Sequence, residues 1–310
     1  MSELNLREAD KLEVTSLVDN YTDALLQGTE VVRRTPLPPP LMFLAEHGFS
    51  YLIKVYSGTE EHAVLFDAGA STTCFFHNAD LLHVDFGKIE AVALSHGHFD
   101  HFGALVEFLD RAAKGIPLVL HPDAFLERRL SVPGIGAVPF PSLDETALNR
   151  TGATIRKIKE NSTLASDLIL VLGEVERVTD FEKGFPWAEA KIDGEWVVDR
   201  FNDDRGLAVK VKGRGLVVLG GCSHAGIINT VRYARKVAQT DKVHAVMGGF
   251  HLTGAIFEPI IGPTIEEMKK IAPDFVVPMH CTGWKAMTDF AREMPNQFIL
   301  NGVGSTYTYQ

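Results

Sequence analysis

Cysteine is scarce in this chain: Cys74, Cys222 and Cys281 are the only three in 310 residues. An odd, widely spread set is no disulfide framework, and it fits a reduced, cytoplasmic protein. Long hydrophobic runs are also missing. No stretch approaches the ~20 apolar residues needed to span a bilayer, and the opening MSELNLREADKLE has no apolar core of a signal peptide, so no membrane partner is expected. Positive charge is in deficit, with a formal net charge of −10. That argues against a nucleic-acid partner, because phosphate backbones reward clustered Lys and Arg, while leaving room for a local basic pocket that takes one phosphate. Absent too are a Gly-x-Ser-x-Gly nucleophile motif, a GxGxxG turn and a GxxxxGK[ST] loop.

What the chain does have is concentrated at residues 95–103, Ser-His-Gly-His-Phe-Asp-His-Phe-Gly. Histidines at i and i+2 in an extended segment project to one side, so His96 and His98 can grip one ion together. Asp100 and His101 follow at once and can reach a second. The apolar run 88–94 before the motif predicts a strand, and 102–113 after it predicts a helix with Leu105, Phe108, Leu109 and Ala112 on one face. The ligands then sit where a strand ends, the usual place for sites in α/β sheets.

At 45% hydrophobic residues the chain can bury a large core, and 1–310 reads as one domain. Strands are predicted at 12–18, 49–56, 62–66 and 117–120, with PLPPP at 36–40 crossing the surface. From about 122 to 200 the pattern breaks into prolines, glycines and short strands, which predicts an insertion that caps a site. Alternation returns in strands 207–211, 215–219, 243–247 and 275–278 and helices 227–237 and 264–271. Three of these strands deliver His224, His251 and His280. Gly262-Pro263-Thr264 reads as an N-cap at Thr264 or an anion-binding helix start.

The order Asp67-Ala68-Gly69, His-x-His-x-Asp-His, Gly221-Cys222-Ser223-His224-Ala225-Gly226, Gly248-Gly249-Phe250-His251-Leu252 and His280-Cys281-Thr282-Gly283 resembles the metallo-β-lactamase superfamily over nearly the whole chain. With Leu17-Val18-Asp19-Asn20, Glu46-His47-Gly48, Gly173-Glu174 and Arg177, it is similar to the group called dihydropterin-methyl ribofuranosylaminobenzene phosphate synthase-like. The resemblance implies an α/β fold, a four-layer αββα sandwich with two divalent metal ions between the sheets. It gives His96 and His98 to the first metal, and Asp100, His101 and His280 to the second, with Asp67 orienting the histidine loop. Family members commonly supply another histidine and a bridging aspartate. Here no histidine lies between His121 and His224, Cys222 takes the aspartate's place, and His224 is the candidate for the missing imidazole. Cys222 is either a thiolate ligand or a small residue that lets the strand turn. A thiolate favours zinc, and an all-His/Asp set leaves iron or manganese open.

His251 is read as a ligand, a catalytic proton donor or substrate contact, or a histidine hydrogen-bonded to a carboxylate beside the metals. Arg177 and Thr282 are candidate substrate contacts; Asp203-Asp204-Arg205 and Lys285 are polar groups in motif-like settings that otherwise read as surface charge. Phe181, Phe185, Trp187 and Trp196 either stack on a flat ring or form the insertion's own core. Two close ions lower the pKa of a shared water toward neutrality. The leading expectation is therefore a hydrolase that uses a metal-bridged hydroxide, oriented by Asp100, on an ester, lactone or phosphoester of a small molecule. The alternatives are a synthase joining a dihydropterin to an aryl ribose phosphate, whose substrate is pterin-like or phosphorylated, and a non-enzymatic metal-containing binding protein. A homo-oligomer is an open expectation.

Overall fold

Period-two burial along the long strands decides the architecture. In Lys11–Val18 the buried Leu12 and Val14 alternate with half-exposed neighbours, which gives the strand one apolar face to cover. The computed structural model describes residues 4–310. One sheet of eight strands runs in the order 154–157, 117–120, 91–93, 60–66, 50–57, 11–18, 305–309, 32–34. A second runs 162–164, 169–171, 207–211, 215–219, 243–249, 275–279, with Glu8–Ala9 beside 207–211. Their inner faces meet in one core, where Leu12, Phe49, Tyr51, Ile53 and Val64 pack with Val209, Val217, Leu219, Met247 and Val277.

Helices cover both outer faces. Thr72–Leu81, Leu105–Arg111 and Glu145–Arg150 lie on the first sheet over Leu65, Val92 and Leu118. Ile227–Val237, Ile261–Ile271 and Trp284–Glu293 lie on the second over Val218, Val246 and Val276. The last three are amphipathic: Ile227, Ile228, Val231 and Ala234 turn inward while Lys236 stays in solvent. The result is an αββα sandwich. Among the described residues no helix is long and apolar enough to cross a membrane.

Three local expectations are corrected. Residues 122–200 are not a single insertion: only Arg128–Val132, Gly136–Pro139, Ala188–Ile192 and Glu195–Val198 form a separate four-stranded sheet. The chain between returns to the main sheets, with Thr154–Lys157 parallel to 117–120 and the 162–171 hairpin on the second sheet. Those strands are three or four residues long, too short for alternation to register. Ahead of the motif only Ala91–Ala93 is strand, and a short helix, Phe99–Phe102, carries Asp100 and His101. Finally, the helix expected from 264 starts at Ile261, so Thr264 is buried inside it and donates to the Ile260 carbonyl instead of capping.

Candidate metal centre

Five strands end at one place. Glu60–Phe66 leads to Asp67, Ala91–Ala93 to the His96–His101 turn, Gly215–Leu219 to Cys222 and His224, Val243–Gly249 to His251, and Phe275–Met279 to His280. Asp67, Ser223, His251 and His280 all adopt positive φ, between 46° and 61°. This left-handed backbone is unusual for residues with a Cβ, and its concentration at these strand ends marks a site whose surroundings hold it in place.

Seven donors converge. The His96 and His224 Nε2 atoms are 3.2 Å apart, and the His98 ring lies within 5 Å of both rings (centroids 4.5 and 4.9 Å). On the other side His101 Nε2 is 3.1 Å from Cys222 Sγ, and Asp100 Oδ2 lies 3.3 Å from His280 Nε2 and 3.8 Å from His101 Nε2. The donor atoms of Asp100, His101, Cys222 and His280 fall within 4.8 Å of one another, as do those of His96, Cys222 and His224. Cys222 belongs to both groups. All seven side chains are buried, and His224 Nδ1 has no hydrogen-bond partner. Buried imidazoles, a carboxylate and a thiol turned toward each other rather than toward protein partners suit transition-metal ligation.

Electrostatics agree. Burial, reinforced by neighbouring histidines, pushes His96 and His224 well below the ordinary histidine value. Burial and the Arg128 charge bring His98 down to about 3. These three rings are therefore neutral, as ligands must be. His280 differs: burial opposes its charge, but Cys281 and Asp100 outweigh that and raise it to about 9. Asp100 is held below the usual carboxylate range, because His101 and His280 overcome its burial. Burial raises the Cys222 thiol well above its ordinary value, so as a ligand it would exchange its proton for a metal.

Outer groups aim the inner ones. Asp67 accepts from His101 Nδ1 at 2.6 Å, from Ser95 Oγ at 2.6 Å and from the Ser95 N–H at 2.7 Å, which turns His101 Nε2 toward the cluster. Asn20 Oδ1 sits 3.3 Å from His280 Nδ1 while its Nδ2 donates to the His280 carbonyl, and Asp19 accepts the His280 N–H. Gly97 is caught on both sides. Its N–H donates to Asp203 Oδ2 at 2.8 Å and its carbonyl accepts from Arg128 Nη1 at 3.3 Å. Arg128 also bonds Asp203 and Asp199, each at 2.7 Å. A Cβ on Gly97 would lie 2.0 Å from the Ala124 carbonyl oxygen, so only glycine fits.

Several expected roles do not match the geometry. Thr282 is fully buried, its hydroxyl donating to the Met279 carbonyl and accepting from the Phe250 N–H, so that it ties two strand ends. Arg177 is exposed and its guanidinium is engaged by the Arg200 carbonyl. Asp203, Asp204 and Arg205 are buried, not surface charges, and Lys285 pairs with Asp289 on the exposed side of the last helix. His251 has no carboxylate partner; it packs against His224 at 4.2 Å and Phe257 at 4.5 Å, near Cys222 and Cys281. His121 accepts from the Asp123 N–H and faces Glu174, a turn-forming role. His47, to which the motif gave no role, stacks its ring on His280 and has its Nε2 3.5 Å from Asp100. Arg128 and Asp199, which carry no local motif, were missed by the sequence.

A family model described as the Metallo-beta-lactamase superfamily matches residues 45–227. The chain is 31% identical to the 7,8-dihydropterin-6-methyl-4-(beta-D-ribofuranosyl)-aminobenzene-5'-phosphate synthase of Methanocaldococcus jannaschii, over 95% of this chain and 96% of the relative. It is 33% identical to an uncharacterized protein of the same organism, over 84% and 93% of the two chains. Among solved structures, one described as a metal-dependent hydrolase of the beta-lactamase superfamily superimposes with a TM-score of 0.74 at 25% identity, covering 96% of this chain and 98% of the other.

Proposed function

The chain belongs to the metallo-beta-lactamase superfamily, and we propose that its buried cluster is a two-metal centre serving a transferase, which joins a dihydropterin to an aryl ribose phosphate as an activating diphosphate leaves. The observation that carries this reading is the near full-length identity to the M. jannaschii synthase. It moves ahead of the hydrolase expectation, which stays as the second reading because the structural neighbour at TM-score 0.74 is described as a hydrolase.

In this proposal His96, His98 and His224 would hold one ion and Asp100, His101 and His280 the other, with Cys222 within reach of both groups. Divalent ions bound there would supply Lewis acidity to phosphate oxygens and to the departing diphosphate. The thiol favours zinc; iron or manganese would follow if Cys222 stays protonated. Asp67 and Asn20 fix the tautomers of His101 and His280. Phe201, stacked on His224 at 4.2 Å, keeps water from that face. His251, whose Nδ1 has no partner, takes the proton released when the acceptor is substituted. The four-stranded sheet acts as the cap.

The test is to incubate metal-loaded protein with a diphosphate-activated dihydropterin, with and without the aryl ribose phosphate. Diphosphate release that depends on the acceptor, with the joined product detected by mass, is the expected result. Equal release without acceptor would replace the transferase by a hydrolase of the diphosphate, and no release in either case would refute the transferase.

A further inference from the structure

Beside the histidine cluster opens a cleft of about 240 Å³, bounded by the Phe181–Pro186 segment, the Ser223–Gly226 turn and the chain from Phe250 to Ile260. We propose that this cleft takes one aromatic ring, and that Lys183 at its mouth pairs with a phosphate carried by the same molecule. The assignment rests on the transferase reading only for the natural ligand: it gives the cleft to the aryl ribose phosphate and leaves the dihydropterin to approach from the His47 side.

Size is the first argument. The volume falls below the roughly 300–1,000 Å³ of sites for drug-sized ligands, so one ring system fits and two substrates side by side do not. Chemistry is the second. Phe181, Phe250, Leu252, Ile256, Phe257 and Ile260 make the wall apolar, and Phe185 backs it at 5.1 Å from Phe257. The Glu182 carboxylate also lines the cleft but is already engaged, accepting from the Ile228 and Asn229 N–H groups and the Thr179 hydroxyl. The Ser223 hydroxyl and the His224 and His251 Nδ1 atoms also lack partners, but each is sealed from solvent, so none is open to a ligand edge in the cleft. A dihydropterin presents an edge of several amide and amino groups, each costly to bury unpaired. A benzene ring has no such edge. Charge is the third argument. Lys183 is exposed and, among the described residues, makes no side-chain hydrogen bond or ion pair, so its ammonium is available to an anion arriving with the ring.

Titration calorimetry on the metal-loaded protein tests this with phenyl phosphate, inorganic phosphate and pterin as probes. Phenyl phosphate should bind about tenfold more tightly than inorganic phosphate, the contribution expected of a buried ring. Phe257→Ala should erase that advantage; Phe257→Leu should reduce it if the alanine variant does not fold. Lys183→Ala should weaken phenyl phosphate roughly three- to fivefold, the scale of an exposed ion pair, with melting temperature and metal content unchanged. Pterin should not displace phenyl phosphate. Equal affinity for the two phosphates, an advantage that survives at Phe257→Ala, no effect of Lys183→Ala or displacement by pterin would each overturn the proposal. These are binding measurements: failure of the ring site leaves the diphosphate-release experiment standing, and failure of the transferase reading leaves the ring advantage measurable.

Discussion

Asp203 Oδ2 accepts the backbone N–H of Gly97 at 2.8 Å, so a carboxylate far along the chain sets the turn between His96 and His98. Arg128 completes the grip from the opposite side, holding the Gly97 carbonyl and both Asp199 and Asp203. In the proposed centre the two histidines would reach one ion only if the residue between them keeps this conformation.

Removing one partner of that buried group strands the others. Asp203→Ala should destabilise the fold by roughly 3–5 kcal/mol, the range for breaking a buried ion pair. Asp203→Asn, which keeps an acceptor for Gly97, should cost less. Urea denaturation gives the energies. Chelator competition should show weaker metal retention in both variants, and parental retention in Asp203→Ala would remove the turn-setting role.

The ligand assignment predicts stoichiometry. Protein purified without chelators should carry about two metal equivalents, and His98→Ala and His224→Ala should each lose metal. Elemental analysis decides, and a His224→Ala variant that keeps the full complement would exclude His224.

Cys222 can be examined with cobalt in place of the native metal. A thiolate ligand gives an intense near-ultraviolet charge-transfer band that Cys222→Ser abolishes. A parent spectrum without that band, unchanged by the substitution, would make Cys222 only a small turn residue and weaken the case for zinc.

Burial raises Asp204 to about 6; Ala225 N–H donates to one oxygen, and the other has no partner. A carboxyl whose folded value exceeds its unfolded value of 3.8 contributes stability that is full below about pH 3.8 and lost as pH rises through about 6. In the metal-free protein Asp204→Asn should therefore be more stable than the parent at pH 7, by on the order of 2 kcal/mol, with the gap closing at pH 4. Thermal melts at the two pH values check the sign, and a variant less stable at pH 7 would contradict it.

Where a signal is local, sequence reading reaches the structure closely. Strands 207–211 and 215–219 and helix 227–237 have the expected bounds, because alternation and 3.6-residue spacing are properties of a short window. The donor cluster was legible for the same reason: His96 to His101 lie within six residues, and His224, His251 and His280 each follow closely on an apolar run. The Arg128, Asp199 and Asp203 group was not. Arg128 stands 71 and 75 residues from its two partners, and a buried ion pair looks like surface charge until the fold brings its partners together. Thr282 misled in the opposite way, since its neighbours suggested chemistry while its hydroxyl is used up in joining Met279 to Phe250.

Arg128 is the first residue of its strand in the four-stranded sheet, and it is also the one that grips the metal-binding turn. The sheet is therefore unevenly free to change. Gly136–Pro139 pairs with the Arg128 strand, and only the exposed tip of that hairpin, residues 133–136, can be lengthened, shortened or rewritten as substrates change without touching the centre. Its root cannot. Evolution of specificity in this protein has a tether at Arg128, and exchange of the whole sheet between relatives would carry the metal site along with it.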